Sequence, residues 1–229
     1  MSKTSPISKD LFEFLDDLAR NNNREWFAEN KDRYETALRE PVLELITQLE
    51  KPLRRSAPML QAIAKRSGGS LMRIYRDTRF SKDKTPYKTN VGISLRHQAD
   101  GNIHAPGAYI HLADDECFVA LGCWRPQRET LAAIRRAIDE DPKAWHRARD
   151  QRKFRQSYQL AGESLKTAPR DYPKDHPEIV DLRRIDFIAV SPLTQHEFTQ
   201  PDIVAKIVSR IRDGKPLMRF LCDAIDVPY

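Results

Sequence analysis

The side chains best suited to chemistry lie in one run, residues 73–90. It reads Arg-Ile-Tyr-Arg-Asp-Thr-Arg-Phe-Ser-Lys-Asp-Lys-Thr-Pro-Tyr-Lys-Thr-Asn and carries six Lys or Arg against two Asp, a charge of +4. Arginine holds phosphate or carboxylate groups through paired hydrogen bonds, and lysine adds a mobile point charge. This run, the first basic segment, therefore predicts a binding site for an anion.

The side chains of this segment divide into predicted anion ligands and predicted ring contacts. Tyr75 and Tyr87 are expected to stack against a ring or to offer a hydroxyl group. Asp77 and Asp83 leave an alternative open, because they can pair with neighbouring cations and make a solvated hairpin without a ligand. The predicted anion ligands are Arg73, Arg76, Arg79, Lys84 and Lys88.

His111 is the best candidate for acid–base chemistry, because imidazole titrates near neutral pH. It is expected to lie beside Tyr109 on the polar face of a strand; a hydrogen-bonded surface histidine without a catalytic role is the alternative.

Neither an H-E-x-x-H motif nor a Cys/His pair at zinc spacing occurs, so no metal is predicted, and a site assembled from distant residues is the alternative. No phosphate loop is present, and the cofactor is left unidentified. The other histidines are scattered: His97, His104, His146, His176 and His196.

Charge is concentrated in a second place, residues 143–155, which carry +5 and are called the second basic segment. The net charge is +6, so the rest of the chain outside the two segments has −3. This distribution favours anionic partners at the segments. A small anionic ligand, such as a phosphorylated metabolite or nucleotide, is the leading hypothesis. Nucleic-acid binding across both segments is the alternative, and a structural or protein-interaction role is the third.

The composition, 40% hydrophobic and 31% charged, is that of an ordinary globular protein. No run approaches the ~18 apolar residues of a membrane span, and the N-terminus lacks a secretory signal. Three cysteines, an odd number, argue against a disulfide framework and predict buried, reduced thiols. We therefore expect a cytoplasmic protein with no membrane partner; the oligomeric state is left open.

The N-terminal third is predicted to be helical after a flexible stretch, residues 1–7. Asn22 and Glu25 fit a capping pattern for a second helix, and Pro41 is expected to end or kink it. Ser8 is the predicted cap of the first helix, whose apolar residues recur at helical spacing: Leu11, Phe12, Leu15 and Leu18.

From residue 70 the apolar period changes to alternation, which predicts strands. Short, turn-like connections between them indicate an antiparallel meander rather than parallel units. Helices return after Pro126, so the expected fold is one α+β domain, residues 1–229: a meander sheet covered mainly on one side and flanked by N-terminal and C-terminal helices. The predicted strands lie within residues 71–76, 91–96, 108–112, 117–124 and 185–190.

Several motifs together resemble a family of bacterial and fungal proteins that is known as a domain of unknown function. The most specific is RDTRFSKDKTPYKTN, residues 76–90. The resemblance covers nearly the whole chain and implies one domain with this segment as its hallmark; it implies no reaction. Asp171 stands where the resembling pattern has glycine. The other motifs are Asn22–Phe27, Pro106-Gly107 with Tyr109, Gly122 with Trp124 and Pro126, His176-Pro177, and Lys215-Pro216-Leu217.

Overall fold

The computed structural model describes residues 4–99 and 105–229. They form helices at both ends of an antiparallel sheet, the α+β arrangement that the sequence predicts. The helices are α1 (Lys9–Arg20), α2 (Arg24–Glu29), α3 (Lys31–Arg33), α4 (Glu40–Ser56), α5 (Arg128–Glu140), α6 (Pro142–Asp150), α7 (Arg152–Ser157), α8 (Ile179–Leu182), α9 (Gln195–Phe198), α10 (Ile203–Asp213) and α11 (Lys215–Ala224).

The helix starts follow local chemistry. Ser8 caps α1 as predicted, its side chain accepting a hydrogen bond from the backbone N–H of Asp10 at 3.2 Å. Pro41 does not end the helix in which it lies. A π-helical turn, Tyr34–Arg39, precedes it and joins α3 to α4. Such a widened turn makes room for the proline ring and tolerates the missing backbone N–H donor.

The described strands form one six-stranded sheet in the spatial order β1-β2-β3-β4-β6-β5, with every neighbouring pair antiparallel. The predicted meander is β2–β3–β4. The short edge strands β1 and β5 escape prediction because two or three residues show too little alternation. The strands are β1 (Leu60–Gln61), β2 (Asn90–His97), β3 (Gly107–Ala113), β4 (Cys117–Cys123), β5 (Gln159–Ala161) and β6 (Phe187–Leu193).

Residues 71–76, predicted as a strand, pair with β2 and the chain before it only through isolated bridges. The N–H of Met72 donates to the carbonyl of Gly92 at 2.9 Å, and the N–H of Lys88 donates to the carbonyl of Ile74 at 2.8 Å. One residue separates Met72 from Ile74, whereas three residues separate Lys88 from Gly92. This bulge interrupts the ladder, so the first basic segment is an irregular hairpin.

The sheet has one covered face and one open face. Helices α10 and α11 pack against β4, and α10 also packs against α4. Side chains that point to these helices, such as Ile110 and Val119, are fully buried. Their alternating neighbours on the other face, such as Tyr109, His111 and Phe118, are only half-buried. The sheet is therefore covered mainly on one side, as predicted, and the open face offers side chains for function.

A buried ion-pair network ties α6 to α8. Asp181, 2% exposed, accepts hydrogen bonds from Trp145 Nε1 at 2.8 Å, from Arg184 Nε at 3.0 Å and from Arg149 Nη1. Arg149 belongs to the second basic segment. One of its cations is therefore partly buried in an ion pair rather than free on a solvated face.

Candidate functional site

Two hydrogen bonds join the first basic segment to Asn22, in the turn between α1 and α2. Asn22 Nδ2 donates to the carbonyl of Tyr87 at 3.0 Å, and the N–H of Tyr87 donates to Asn22 Oδ1 at 3.1 Å. The side-chain amide of Asn22 thus pairs with the backbone as a neighbouring strand would. Asn23, not Asn22, caps α2 by accepting from the N–H of Trp26 at 2.9 Å. The predicted cap is therefore wrong by one residue, because Asn22 is used to hold the segment.

The two tyrosines of the segment have different surroundings. Tyr87 is 4% exposed, and its ring stacks on Phe27 with centroids 4.1 Å apart. Tyr75 is 54% exposed, and its ring lies 5.4 Å from that of Tyr87. The Tyr87 ring is thus occupied by the protein's own aromatic cluster. Of the two predicted stacking partners, Tyr75 alone presents its ring to solvent.

Two of the predicted anion ligands are already paired with carboxylates. Arg76 donates through Nη1 to Asp83 Oδ2 and to Thr85 Oγ1. Arg79 forms a two-pronged pair with Asp77, with Nε–Oδ1 at 3.0 Å and Nη2–Oδ2 at 2.7 Å. Hydrogen bonds from these guanidinium groups lower the pKa of Asp77 and of Asp83 to about 2. For Arg76 and Arg79 the structure thus has the salt-bridged hairpin described above as the alternative.

The other three predicted anion ligands have no carboxylate partner among the described residues. Lys84 Nζ donates to the backbone carbonyl of Thr78 at 2.9 Å, which leaves its charge without a carboxylate among the described residues. Neither Arg73 nor Lys88 has a side-chain hydrogen bond or ion pair there. Burial, and secondarily the charge of Arg73, lowers the pKa of Lys88. The base of the hairpin therefore holds two neighbouring, unpaired cations.

A polar cluster lies on the open face of the sheet near this base. Tyr109 Oη and His111 Nδ1 are 3.0 Å apart, and Asn90 Nδ2 lies 3.5 Å from both. The His111 ring stacks on Phe118 with centroids 4.8 Å apart and planes 3° from parallel. Burial lowers the pKa of His111 and raises the pKa of Tyr109. Both groups are therefore neutral near pH 7.

The backbone stretches that carry the cluster and the unpaired cations adjoin each other. A Cβ atom on Gly92 would lie 2.8 Å from Tyr109 Oη and 2.9 Å from Met72 Sδ, so these two side chains meet above the glycine. Arg73 follows Met72 directly, and Lys88 precedes Asn90 by two residues. We group Arg73, Lys88, Asn90, Tyr109 and His111 as the candidate site because their backbone positions adjoin.

Asn90 and Phe118 were not selected by sequence reasoning. Phe118 joins His111 because β4 pairs with β3 in a register that places the two residues opposite each other. The available sequence signal was the alternation of polar residues on one strand face, which shows the face but not the register. The partners of His111 become visible only when the strands are aligned.

The second basic segment lies on α6 and α7. Helix α6 packs on α11, and α7 packs on α10 and leads into β5, the edge strand at the opposite end of the sheet from β1. Among the described residues, no hydrogen bond, ion pair or ring contact joins the two basic segments. The first segment instead extends the edge beside β2.

The structure also bears on the cysteines, on metal-ligand groups and on membrane-spanning helices. The three cysteines, Cys117, Cys123 and Cys222, are buried, as predicted, and none of them forms a disulfide bond. Residues 4–99 and 105–229 hold no group of three His, Cys, Asp or Glu side chains arranged for a metal ion, and His104 lies outside these ranges. No described helix combines the length and the apolar character needed to cross a bilayer.

Comparison with known proteins gives one match. No curated protein and no solved structure matches the chain. A family model with the description "conserved hypothetical protein (DUF2461)" matches residues 10–220. This range includes Asn22, the first basic segment and the open-face cluster. The match confirms the resemblance to a domain of unknown function. The chain belongs to the DUF2461 family of conserved hypothetical proteins.

Proposed function

We propose that the candidate site binds a small anionic ligand, such as a phosphorylated metabolite or nucleotide, through Arg73 and Lys88. The observation that supports this function is the pair of neighbouring cations without a carboxylate partner among the described residues. Carboxylates are present in the same hairpin, but they pair with Arg76 and Arg79. An anion at Arg73 and Lys88 would relieve both the repulsion between them and the cost of burying the Lys88 ammonium.

The surroundings fit a phosphate that is attached to a ring. The guanidinium of Arg73 can bind two phosphate oxygens, and Lys88 adds a point charge. Tyr75 and Met72, 54% and 44% exposed, offer apolar surface beside them. The aromatic ring of Tyr75 can stack with a nucleobase or sugar ring.

His111 is the proposed acid–base group if the bound ligand reacts. When the Tyr109 hydroxyl donates to Nδ1, 3.0 Å away, the proton of the neutral imidazole ring lies on Nε2. Nε2 then offers a hydrogen bond to a ligand oxygen. Tyr109 fixes the ring orientation and the tautomer, as a hydrogen-bond partner of histidine commonly does.

The test is calorimetric titration of the full chain with phosphates and nucleotides found in a thermal-shift screen. A ligand at about a hundred times its Kd stabilises by ~2.7 kcal/mol, a Tm rise of roughly 5–10 °C for a chain of this size. We expect Arg73→Ala and Lys88→Ala each to weaken the ligand at least ~10-fold, about 1.4 kcal/mol.

Lys82→Ala is the matched control, since Lys82 is an exposed lysine of the same segment with no side-chain partner among the described residues. It removes the same charge and should leave Kd within about twofold, as expected for screened surface charge. Equal losses in all three variants would show non-specific attraction. A well-folded protein without any hit would contradict the proposal.

One observation favours nucleic acid as a second candidate ligand. Phe80 at the hairpin tip is 96% exposed, with the Arg79 guanidinium 5.9 Å from its ring centroid. Single-stranded nucleic acids bind by stacking bases on such rings. We expect an oligonucleotide to bind with an affinity that falls steeply with salt and drops further in Phe80→Ala. Salt-insensitive binding, or no effect of Phe80→Ala, would exclude this mode.

A further inference from the structure

A cleft on the helical side of the molecule collects four cations away from the open face of the sheet. It lies between α6 and α11 and has a volume of about 420 Å³, within the usual range of ligand pockets, ~300–1,000 Å³. Asp223 is the acidic residue of its lining. The cations that line it are Arg147, Arg212, Lys215 and Arg219.

The two arginines on the outer walls are poorly neutralised. The nearest carboxylate to Arg147 is that of Asp141, 3.8 Å away, and both side chains are more than half exposed. Pairs of this kind contribute little in water. Arg212 donates to Ser209 Oγ at 3.4 Å, a neutral and distant partner. Neither guanidinium is saturated by hydrogen bonds to the described residues.

The two cations on α11 contact a ring instead of an acid. Lys215 Nζ lies 5.7 Å and Arg219 Cζ 6.0 Å from the centroid of Tyr229. Such contacts orient a cation but leave its charge in place. By contrast, Arg149, on the same helix as Arg147, is paired with the buried Asp181. On this helix, the guanidinium that faces Asp181 is thus neutralised and the one that lines the cleft is not.

The start of α11 adds positive potential to this cleft. The helix begins at Lys215 with no capping side chain and with no acidic residue in its first turn. Helix N-termini carry a partial positive charge and normally attract acidic residues, as Asp10 in the first turn of α1 does. A lysine at this position adds to the positive potential instead of offsetting it.

From these charges we infer that the cleft binds a chain of two or three phosphates. The lining carries four positive charges and one negative charge, which complements a polyphosphate better than a single phosphate. Arginine side chains bind phosphate oxygens in pairs. The remaining walls include Ala144, Ala148 and Pro216, whose small or compact side chains let a phosphate chain approach both helices.

The experiment is calorimetric titration of the full chain with sodium tripolyphosphate. It is made in an Arg73→Ala/Lys88→Ala background, so that the result does not depend on the site proposed above. We expect one saturable site, weakened at least ~10-fold by adding Arg212→Ala/Arg219→Ala. The matched control adds Arg152→Ala/Arg155→Ala, two exposed arginines of α7 outside the cleft lining, and should leave Kd within about twofold.

A parallel titration with ATP separates the two sources of a phosphate chain, because tighter binding of ATP than of tripolyphosphate shows that a nucleoside also contributes. Arg147→Ala, an exposed change on the other wall, tests the cleft if the double variant fails to fold. Absence of saturable tripolyphosphate binding, or equal weakening by the cleft and control variants, would overturn the inference.

Discussion

Replacing Asp181 with alanine is expected to lower the free energy of unfolding by about 3–5 kcal/mol. The side chain is 2% exposed and is shared by Arg149, Arg184 and Trp145 Nε1. Guanidinium groups stay charged at any pH of interest, so removing the carboxylate leaves two partly buried positive charges facing each other. Urea denaturation followed by circular dichroism measures the loss.

Asp181→Asn separates charge from volume, because it keeps the shape of the side chain. We expect it to be nearly as destabilising as alanine; a mild effect would show that packing, not charge, is what Asp181 supplies. Asp150→Ala is the control. Asp150 also pairs with Arg149, at 3.3 Å, but is 48% exposed, and its loss should cost no more than about 0.5 kcal/mol.

Gly122→Ala is expected to cost at least about 3 kcal/mol, for two separable reasons. Gly122 has φ +119°, a backbone conformation that side-chain-bearing residues rarely adopt. A Cβ there would also lie 2.0 Å from the carbonyl oxygen of Phe187 on the neighbouring strand β6. Relief would require β4 and β6 to move apart in the middle of the sheet.

Gly68→Ala measures the cost of a left-handed backbone without a clash, since Gly68 has φ +68° and a Cβ there would meet nothing within 4 Å. The backbone strain at Gly68 should cost about 1–2 kcal/mol. The difference between the two variants in denaturant unfolding then reports the clash at Phe187 together with the extra backbone strain at φ +119°. Equal costs would mean that β4 and β6 adjust without loss.

Much of the fold follows from apolar periodicity. The alternation in residues 91–96, 108–112 and 117–124 predicts β2, β3 and β4 because each strand buries one face, and the helical spacing after Ser8 predicts α1 for the same reason. The segment 71–76 shows the limit of this reasoning. Its alternation is present, but a bulge opposite it leaves isolated bridges instead of a continuous strand.

The candidate site is less predictable because its contacts are long-range. The composition of residues 73–90 indicates an anion site, yet it does not show which cations the two aspartates neutralise. Asn22 and Tyr87 are 65 residues apart in sequence, and a capping pattern locally competes with the contact that they make. Register, side-chain pairing and tertiary contact decide these points, and none of them has a local sequence signal.

The ends of the sheet have a consequence for self-association. The edge strands β1 and β5 have only two and three residues, and the neighbouring part of β2 is covered by residues 70–72, which lead irregularly into the first basic segment. Long, flat edges invite strands from other molecules to add, whereas short or bulged edges offer too few free N–H and C=O groups in line. The sheet thus carries built-in protection against edge-to-edge aggregation, in which the lysines of the hairpin take part by repelling a second copy.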